Sequence, residues 1–269
     1  MKTRHDEVFH ALHAEGLLML SNCWDAGSAR IAEAVGSKAL ATSSAAVAWS
    51  HGFADGSRLP TDLLLATVKG IKRVSELPLS VDIEDGYASE PERVAALVTE
   101  LLRGGVVGIN IEDGTEAPEL LCRKIAATRR AAAAAGVNLY INARTDVYLR
   151  PLVDAGARVA ETLRRAQLYK EAGASGLFVP GVREEADMSA IAAGCTLPLN
   201  VLVRPGFPSP ERLAQLGVRR LSAGSDISET MFSFVSNSMR HFLQNGEILT
   251  PPAPALNYPG LNALMARQA

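Results

Sequence analysis

The chain predicts an α/β protein folded as a closed (β/α)8 TIM barrel, and three observations carry that expectation. Eight apolar, β-branched stretches alternate with helical stretches along 269 residues, close to the roughly 250 residues typical of such barrels. Polar residues stand at the carboxyl ends of successive strands, the face on which barrels keep their chemistry. The glycine fingerprint of a doubly wound open sheet is missing, because Asn22-Cys23-Trp24-Asp25-Ala26-Gly27 follows the first strand instead.

In order, a helix over about 3–15 ends at Gly16 and feeds strand one, 17–22. A helix over 25–36 stops at Gly36, and strand two, 38–44, leads into a long polar, glycine-bearing segment, 45–60. Thr61 caps a helix to about 76, before strand three, 79–85. Ser89-Glu90-Pro91-Glu92 is a helix start with proline in the first turn, and Gly104-Gly105 ends that helix. Strand four is 106–112, followed by a helix from Pro118 to Gly136. Strand five is 138–145, with a helix over 157–173. Strand six is 176–180 and strand seven 197–203, with a helix to about 193 between them. Ser209-Pro210-Glu211 opens a short helix ending at Gly217, strand eight is 218–222, and Ser228 opens the last long helix to about 244. Met231, Phe234, Phe242 and Leu243 on that helix are expected to pack. The barrel domain is thus 1–245. The proline-rich tail, 246–269, is expected against a neighbouring subunit or as a frayed end.

Composition excludes several classes. A chain 48% hydrophobic and 21% charged can bury a core and is not disordered. A net charge of -2 gives no electrostatic reason for nucleic acid or an anionic membrane as partner. Cys23, Cys122 and Cys195 are an odd set without framework spacing and read as reduced thiols in a cytoplasm. No run approaches the roughly 18 apolar residues of a membrane span, and the polar start holds no secretory segment. The expected partner is a small carboxylate. His5, His10 and His13 ride the first helix and read as a solvated face.

The stretch around strand three is the one that carries chemistry. Leu79, Val81 and Ile83 alternate with Ser80, Asp82 and Glu84, so a strand would send the acids to one face. Asp85-Gly86 then turns the chain. The pattern returns with Asn110 and Glu112 on strand four, and altered on strand five with Asn142 and Arg144. Carboxylates facing inward are costly unless a cation meets them. Acids and amides without clustered His or Cys form an oxygen-rich site that suits Mg²⁺ or Mn²⁺ better than zinc. Arg144 would bind a substrate carboxylate or a developing enolate oxygen. The plain alternative is a buried structural network of the same groups.

These segments resemble the isocitrate lyase/phosphoenolpyruvate mutase superfamily. The matches are Ala41-Thr42-Ser43-Ser44-Ala45, Gly52-Phe53-Ala54-Asp55, Val81-Asp82-Ile83-Glu84-Asp85-Gly86-Tyr87, Gly108-Ile109-Asn110-Ile111-Glu112-Asp113-Gly114 and Asn142-Ala143-Arg144-Thr145-Asp146, in the family's order. The resemblance implies an α/β barrel, Mg²⁺, and cleavage or formation of C–C or P–C bonds beside an α-keto acid through an enolate-like intermediate. It implies Asp82 as main metal ligand, with Glu84 and Glu112 acting directly or through water, and Asp55 in the metal shell or the chemistry. It implies Ser43, Ser44 and Ala45 as hydroxyl and N–H donors to a substrate carboxylate, Arg144 on the keto acid, and Asn200 further out in the pocket.

The chain also departs from the family. Lyases of this type carry a KKCGH lid whose cysteine is the general acid/base; here Glu112 to Pro118 is short and lacks it. Cys122 falls inside the following helix and reads as structural. His51, Asp55 and Tyr87 lie on loops at the correct face and could supply the missing proton chemistry; His51 otherwise reads as a solvated loop residue and Tyr87 as loop packing. Asp113 and Asp146 read as turn or helix-cap residues. The expected enzyme is a Mg²⁺-dependent carbon–carbon lyase for oxaloacetate- or isocitrate-like acids, homo-oligomeric as a dimer or tetramer. Two other readings stay open: a phosphonopyruvate-type mutase or hydrolase, and a non-catalytic keto-acid-binding barrel.

Overall fold

Strands β1 (Leu18–Leu20), β2 (Asn22–Cys23), β3 (Leu40–Thr42), β4 (Leu79–Asp82), β5 (Gly108–Glu112), β6 (Tyr140–Arg144), β7 (Gly176–Phe178), β8 (Leu199–Leu202) and β9 (Val218–Ser222) all pair in parallel in this computed structural model. It describes residues 4–250 and 256–266. The order β1-β9-β8-β7-β6-β5-β4-β3-β2 closes on itself, because β1 and β2 are two halves of one stave interrupted at Ser21. Asn22 stitches that seam, donating to Thr42 O at 2.8 Å and accepting from Gly224 N at 2.8 Å. The result is the expected (β/α)8 barrel.

Around it run α1 (His5–Ala11), α2 (Ala26–Ala34), α3 (Ser44–Ser50), α4 (Thr61–Val74), α5 (Pro91–Arg103), α6 (Pro118–Ala134), α7 (Arg158–Ala172), α8 (Glu185–Gly194), α9 (Pro210–Gln215), α10 (Asp226–Asn245) and α11 (Tyr258–Met265). In α5, Pro91 presets the first turn, and Val94, Leu97, Val98, Leu101 and Leu102 recur at helical spacing as its buried face. Each such side chain stabilises the fold by about 1.5–3 kcal/mol on burial.

The bottom of the barrel is plugged by α1. Phe9 is fully buried, and His13 stacks on Tyr140 with centroids 4.0 Å apart. Burial and the nearby Arg220 guanidinium push the His13 imidazole down to about 3. His13 is therefore no part of a solvated face; Tyr140 from a distant strand covers it. Two strand glycines make room for this layer. A Cβ on Gly108 would lie 2.8 Å from Phe9 Cε1, and one on Gly176 would lie 2.4 Å from Tyr140 Oη.

Several boundaries differ from the sequence expectation. The segment 45–60 is not irregular throughout: Ser43 caps α3, whose alanines favour helix. Strand three ends at Asp82 rather than Asp85, and Glu84 adopts a left-handed φ of 52°. Asp82 and Glu84 are therefore not strand neighbours on one face. The last helix starts at Asp226 instead of Ser228, and only Ser228 on it is buried. Phe234, Phe242 and Leu243, expected to pack, are exposed. The helix α11 lies on α2 of the same chain, where Arg30 Nε donates to Leu264 O at 2.9 Å. The proline-rich residues 251–255 lie outside the described residues. Among the described residues no helix is long and apolar enough to cross a membrane.

Candidate active site

Three staves bring the charged groups to the carboxyl-terminal mouth. Asp82 ends β4, where Thr42 Oγ1 accepts from its N–H at 2.9 Å. Its carboxylate accepts from Ser44 N at 3.4 Å and Ser44 Oγ at 3.2 Å on one oxygen, and from Glu84 N at 3.2 Å on the other. Ser44 thus already turns its hydroxyl and N–H to Asp82, while Ser43 Oγ caps α3 through Ala46 N, with Ala45 between them. Glu112 and Arg144 are direct partners across the β5–β6 register, joined Oε2 to Nη1 at 2.6 Å. Arg144 Nε and Nη2 grip Asp146 at 2.7 and 3.1 Å. Of the five guanidinium hydrogens, one on each Nη is left after these bonds.

Burial pushes the Asp82 carboxyl upward, against the pull of Arg144 and with a further push from Asp55. Burial pushes Glu112 up to about 8, again opposed by Arg144 and reinforced by Asp82 and Asp146. Glu84 is raised by burial and lies under the loop that bears Asp55: Ser57 N and Ser57 Oγ both donate to its Oε2. Its other oxygen, Oε1, is buried with no partner among the described residues. Burial and the neighbouring carboxylates of Glu84 and Asp82 hold the Tyr87 hydroxyl firmly protonated. His51 is not brought to these groups; its Nε2 bonds Thr67 Oγ1 on α4 at 2.9 Å. Asn200 lies deep rather than further out, 1% exposed, with Ser222 Oγ donating to its Oδ1 at 3.1 Å. Cys122 is half-buried within α6.

The phosphoenolpyruvate phosphomutase family model matches residues 9–243. The chain belongs to this family. It is 35% identical to an uncharacterized Mycobacterium tuberculosis protein over 223 residues, covering 81% of each chain. It is 36% identical over 161 residues to an oxaloacetate decarboxylase of Pseudomonas aeruginosa, a match spanning 55% of this chain and about half, 53%, of that one. Among solved structures, a provisional phosphonomutase of Burkholderia cenocepacia superposes with TM-score 0.84 and 38% identity, covering 88% of this chain and all of that one. A 2,3-dimethylmalate lyase of the PEP mutase/isocitrate lyase superfamily shares the fold at TM-score 0.85 and 20% identity.

This phosphomutase-family barrel holds four side chains that the sequence did not single out: Arg165, Tyr169, Lys124 and Arg220. Asp113 and Asp146, expected as turn or cap residues, are instead a buried brace: Asp146 N donates to Asp113 Oδ1 at 2.9 Å. Arg165 and Tyr169 on α7 both donate to Asp113 Oδ2, the former at 2.7 Å. The spacing Arg144-Thr145-Asp146 held a local signal; Arg165 and Tyr169 held none beyond sharing a helix face four residues apart. Lys124 on α6 is buried and donates to Asp85 O at 2.6 Å. Arg220 lies fully buried beneath the mouth, donating to Ser222 Oγ at 3.2 Å and Asn110 Oδ1 at 3.3 Å. Burial lowers its guanidinium to about 10, so it stays charged.

The donor set suits a hard divalent cation. Every candidate ligand is an oxygen, Asp82 and Glu112 crowd negative charge, and Glu84 Oε1 lacks a partner. Among the described residues no three acids stand ready as a complete metal cage. Mg²⁺ ordinarily takes one or two carboxylates and fills the rest with water and substrate.

Proposed function

We propose that this chain is a Mg²⁺-dependent carbon–carbon lyase acting on a small α-keto acid or 2-hydroxy carboxylate, with oxaloacetate-like acids foremost. The observation that carries this reading is Asp82 at the end of β4, within the field of Arg144, whose guanidinium pairs with Glu112 and keeps N–H groups free. Asp82 would hold the ion, with Glu112 beside it or acting through water. When bound, Mg²⁺ supplies Lewis-acid polarisation of the keto-acid oxygens. Arg144 orients the substrate carboxylate and meets negative charge as it develops on the keto oxygen. In decarboxylation the bond between the carboxylate carbon and its neighbour breaks. Its electron pair passes to the keto oxygen, carbon dioxide leaves, and the carbon takes up a proton. The short segment between Glu112 and Pro118 leaves the mouth open to water for that proton, and the Tyr87 hydroxyl is one nearby protonated side chain. Asp55 would face substrate from its loop; His51 would first have to release Thr67.

The partial match to oxaloacetate decarboxylases supports the carbon–carbon reading. A phosphonopyruvate-type mutase or hydrolase is the second reading, favoured by the full-length likeness to a provisional phosphonomutase. Oxaloacetate, isocitrate-like acids and phosphonopyruvate, each assayed with Mg²⁺, separate the readings. Release of pyruvate or glyoxylate that is lost in EDTA and in Asp82→Ala is the expected result. Turnover of phosphonopyruvate alone selects the second reading, and metal-dependent binding without product selects a keto-acid-binding barrel.

We also propose that the protein is a homo-oligomer built on α10. Phe232, Phe234, Met239, Phe242 and Leu243 are exposed there, and Met19, facing outward on β1, is 56% exposed. In a (β/α)8 barrel the helix after the last strand ordinarily covers the first and last staves. Here both halves of that contact are bare on one chain, which suits a second copy.

A further inference from the structure

We propose that Glu84 and Ser57 form a catch that positions the Asp55 loop over the site, so that Glu84 is a positioning residue and not a direct metal ligand. This rests on the metal-dependent reading above for its catalytic consequence, but not for its geometry. Among the described residues, the non-glycine positions with left-handed φ are Ser57 (58°), Glu84 (52°) and Tyr87 (56°). Such a backbone is unfavourable for a residue with a side chain and collects where surrounding bonds over-determine it. All three meet in a single knot.

Ser57 N donates to Glu84 Oε2. The one Ser57 hydroxyl hydrogen points most directly to Asp85 Oδ1, at 2.7 Å, with Glu84 Oε2 farther at 3.3 Å. Asp85 Oδ1 also accepts from Tyr87 N at 3.0 Å. From below, the buried Lys124 ammonium donates to Asp85 O at 2.6 Å, fixing the turn to α6. The strained turn is thus anchored on the barrel and reaches upward to a single serine. That serine ends a stretch flanked by Gly52 (φ 76°) and Gly56 (φ 100°), positions free to pivot, with Asp55 between them. Holding Ser57 therefore fixes where Asp55 stands relative to Asp82. One Glu84 oxygen is consumed by the catch, and the Tyr87 hydroxyl bears on the same carboxylate.

The test compares Glu84→Gln and Ser57→Ala with the wild-type full chain in two measurements: amide hydrogen exchange across residues 55–58, and Mn²⁺ affinity by calorimetry. Ser57→Ala loosens the knot without touching an acid, so it serves if Glu84→Gln folds poorly. Expected is exchange at least about tenfold faster in both variants, with the Mn²⁺ dissociation constant changed by less than about tenfold. Turnover should fall about a hundredfold, mainly in kcat, as Asp55 loses its place. Unchanged exchange in both variants, or a loss of Mn²⁺ affinity of about tenfold or more in Glu84→Gln, overturns the proposal. If the wild type binds no Mn²⁺, the metal reading fails while exchange still decides the catch.

Discussion

Glu112 is the residue on which pH dependence should turn. Burial raises it to about 8, and the acids beside it add to the shift that Arg144 opposes. The folded protein therefore holds this proton more tightly than the unfolded chain does. Stability from this group is complete below the ordinary glutamate range and is lost as pH rises towards 8. Metal-free protein should show a Tm that falls between pH 5 and pH 8, and Glu112→Gln should flatten that slope. A divalent ion must displace the same proton, so Mn²⁺ affinity should rise over this window, by up to about tenfold per pH unit. A Tm that climbs across the window would refute the assignment. Asp82 shares the direction of shift, but its bonds to Ser44 and Glu84 N already favour its charged form.

At the scale of elements, α7 does more than cover the barrel. Glu161, Arg165 and Tyr169 stand four residues apart on one face. Arg165 Nε donates to Glu161 while its Nη1 reaches the fully buried Asp113, which accepts from Asp146 N, and Asp146 grips Arg144. The Arg144 guanidinium is thus braced from a helix outside the barrel. Arg165→Met should leave the Asp113 charge buried with Tyr169 and backbone alone, a loss of about 3–5 kcal/mol by urea unfolding. Arg165→Lys keeps the charge but not the fork, so it should recover part of the stability while KM stays raised. A Met variant as stable as wild type would show that the brace carries no strain.

For the whole molecule the open question of packing is α10. A 20-residue helix with a single buried residue is unstable as a solitary projection, since helices owe most of their stability to a packed face. Light scattering should give a dimer or tetramer. Phe242→Glu with Leu243→Glu should shift it towards monomer while the barrel's far-ultraviolet dichroism persists. A wild-type monomer at micromolar concentration would remove the assembly. The same exposure corrects the reading of these side chains as intramolecular packing. Their spacing announces an apolar face but not which chain covers it.

The sequence by itself determined the barrel, its eight staves and the segments that bring acids and Arg144 to one mouth. Period-two and period-3.6 patterns are local, and the turn chemistry at Gly16, Pro91, Pro118 and Gly173 is written beside the elements it ends. It could not show that Glu84 leaves the strand, because a left-handed residue followed by Asp85-Gly86 has no signature distinct from a simple turn. It could not place Arg220, Lys124, Arg165 or Tyr169, whose partners lie 39 to 110 residues away in the chain. Nor could it read His13 as the stopper of the barrel, since that role exists only once Tyr140 lies over it. Which oxygen of which acid is free, and which is spent holding a loop, was decided by closure of the barrel alone. Only then do distant staves come within hydrogen-bond reach, and only then does burial change what each carboxylate costs to ionise.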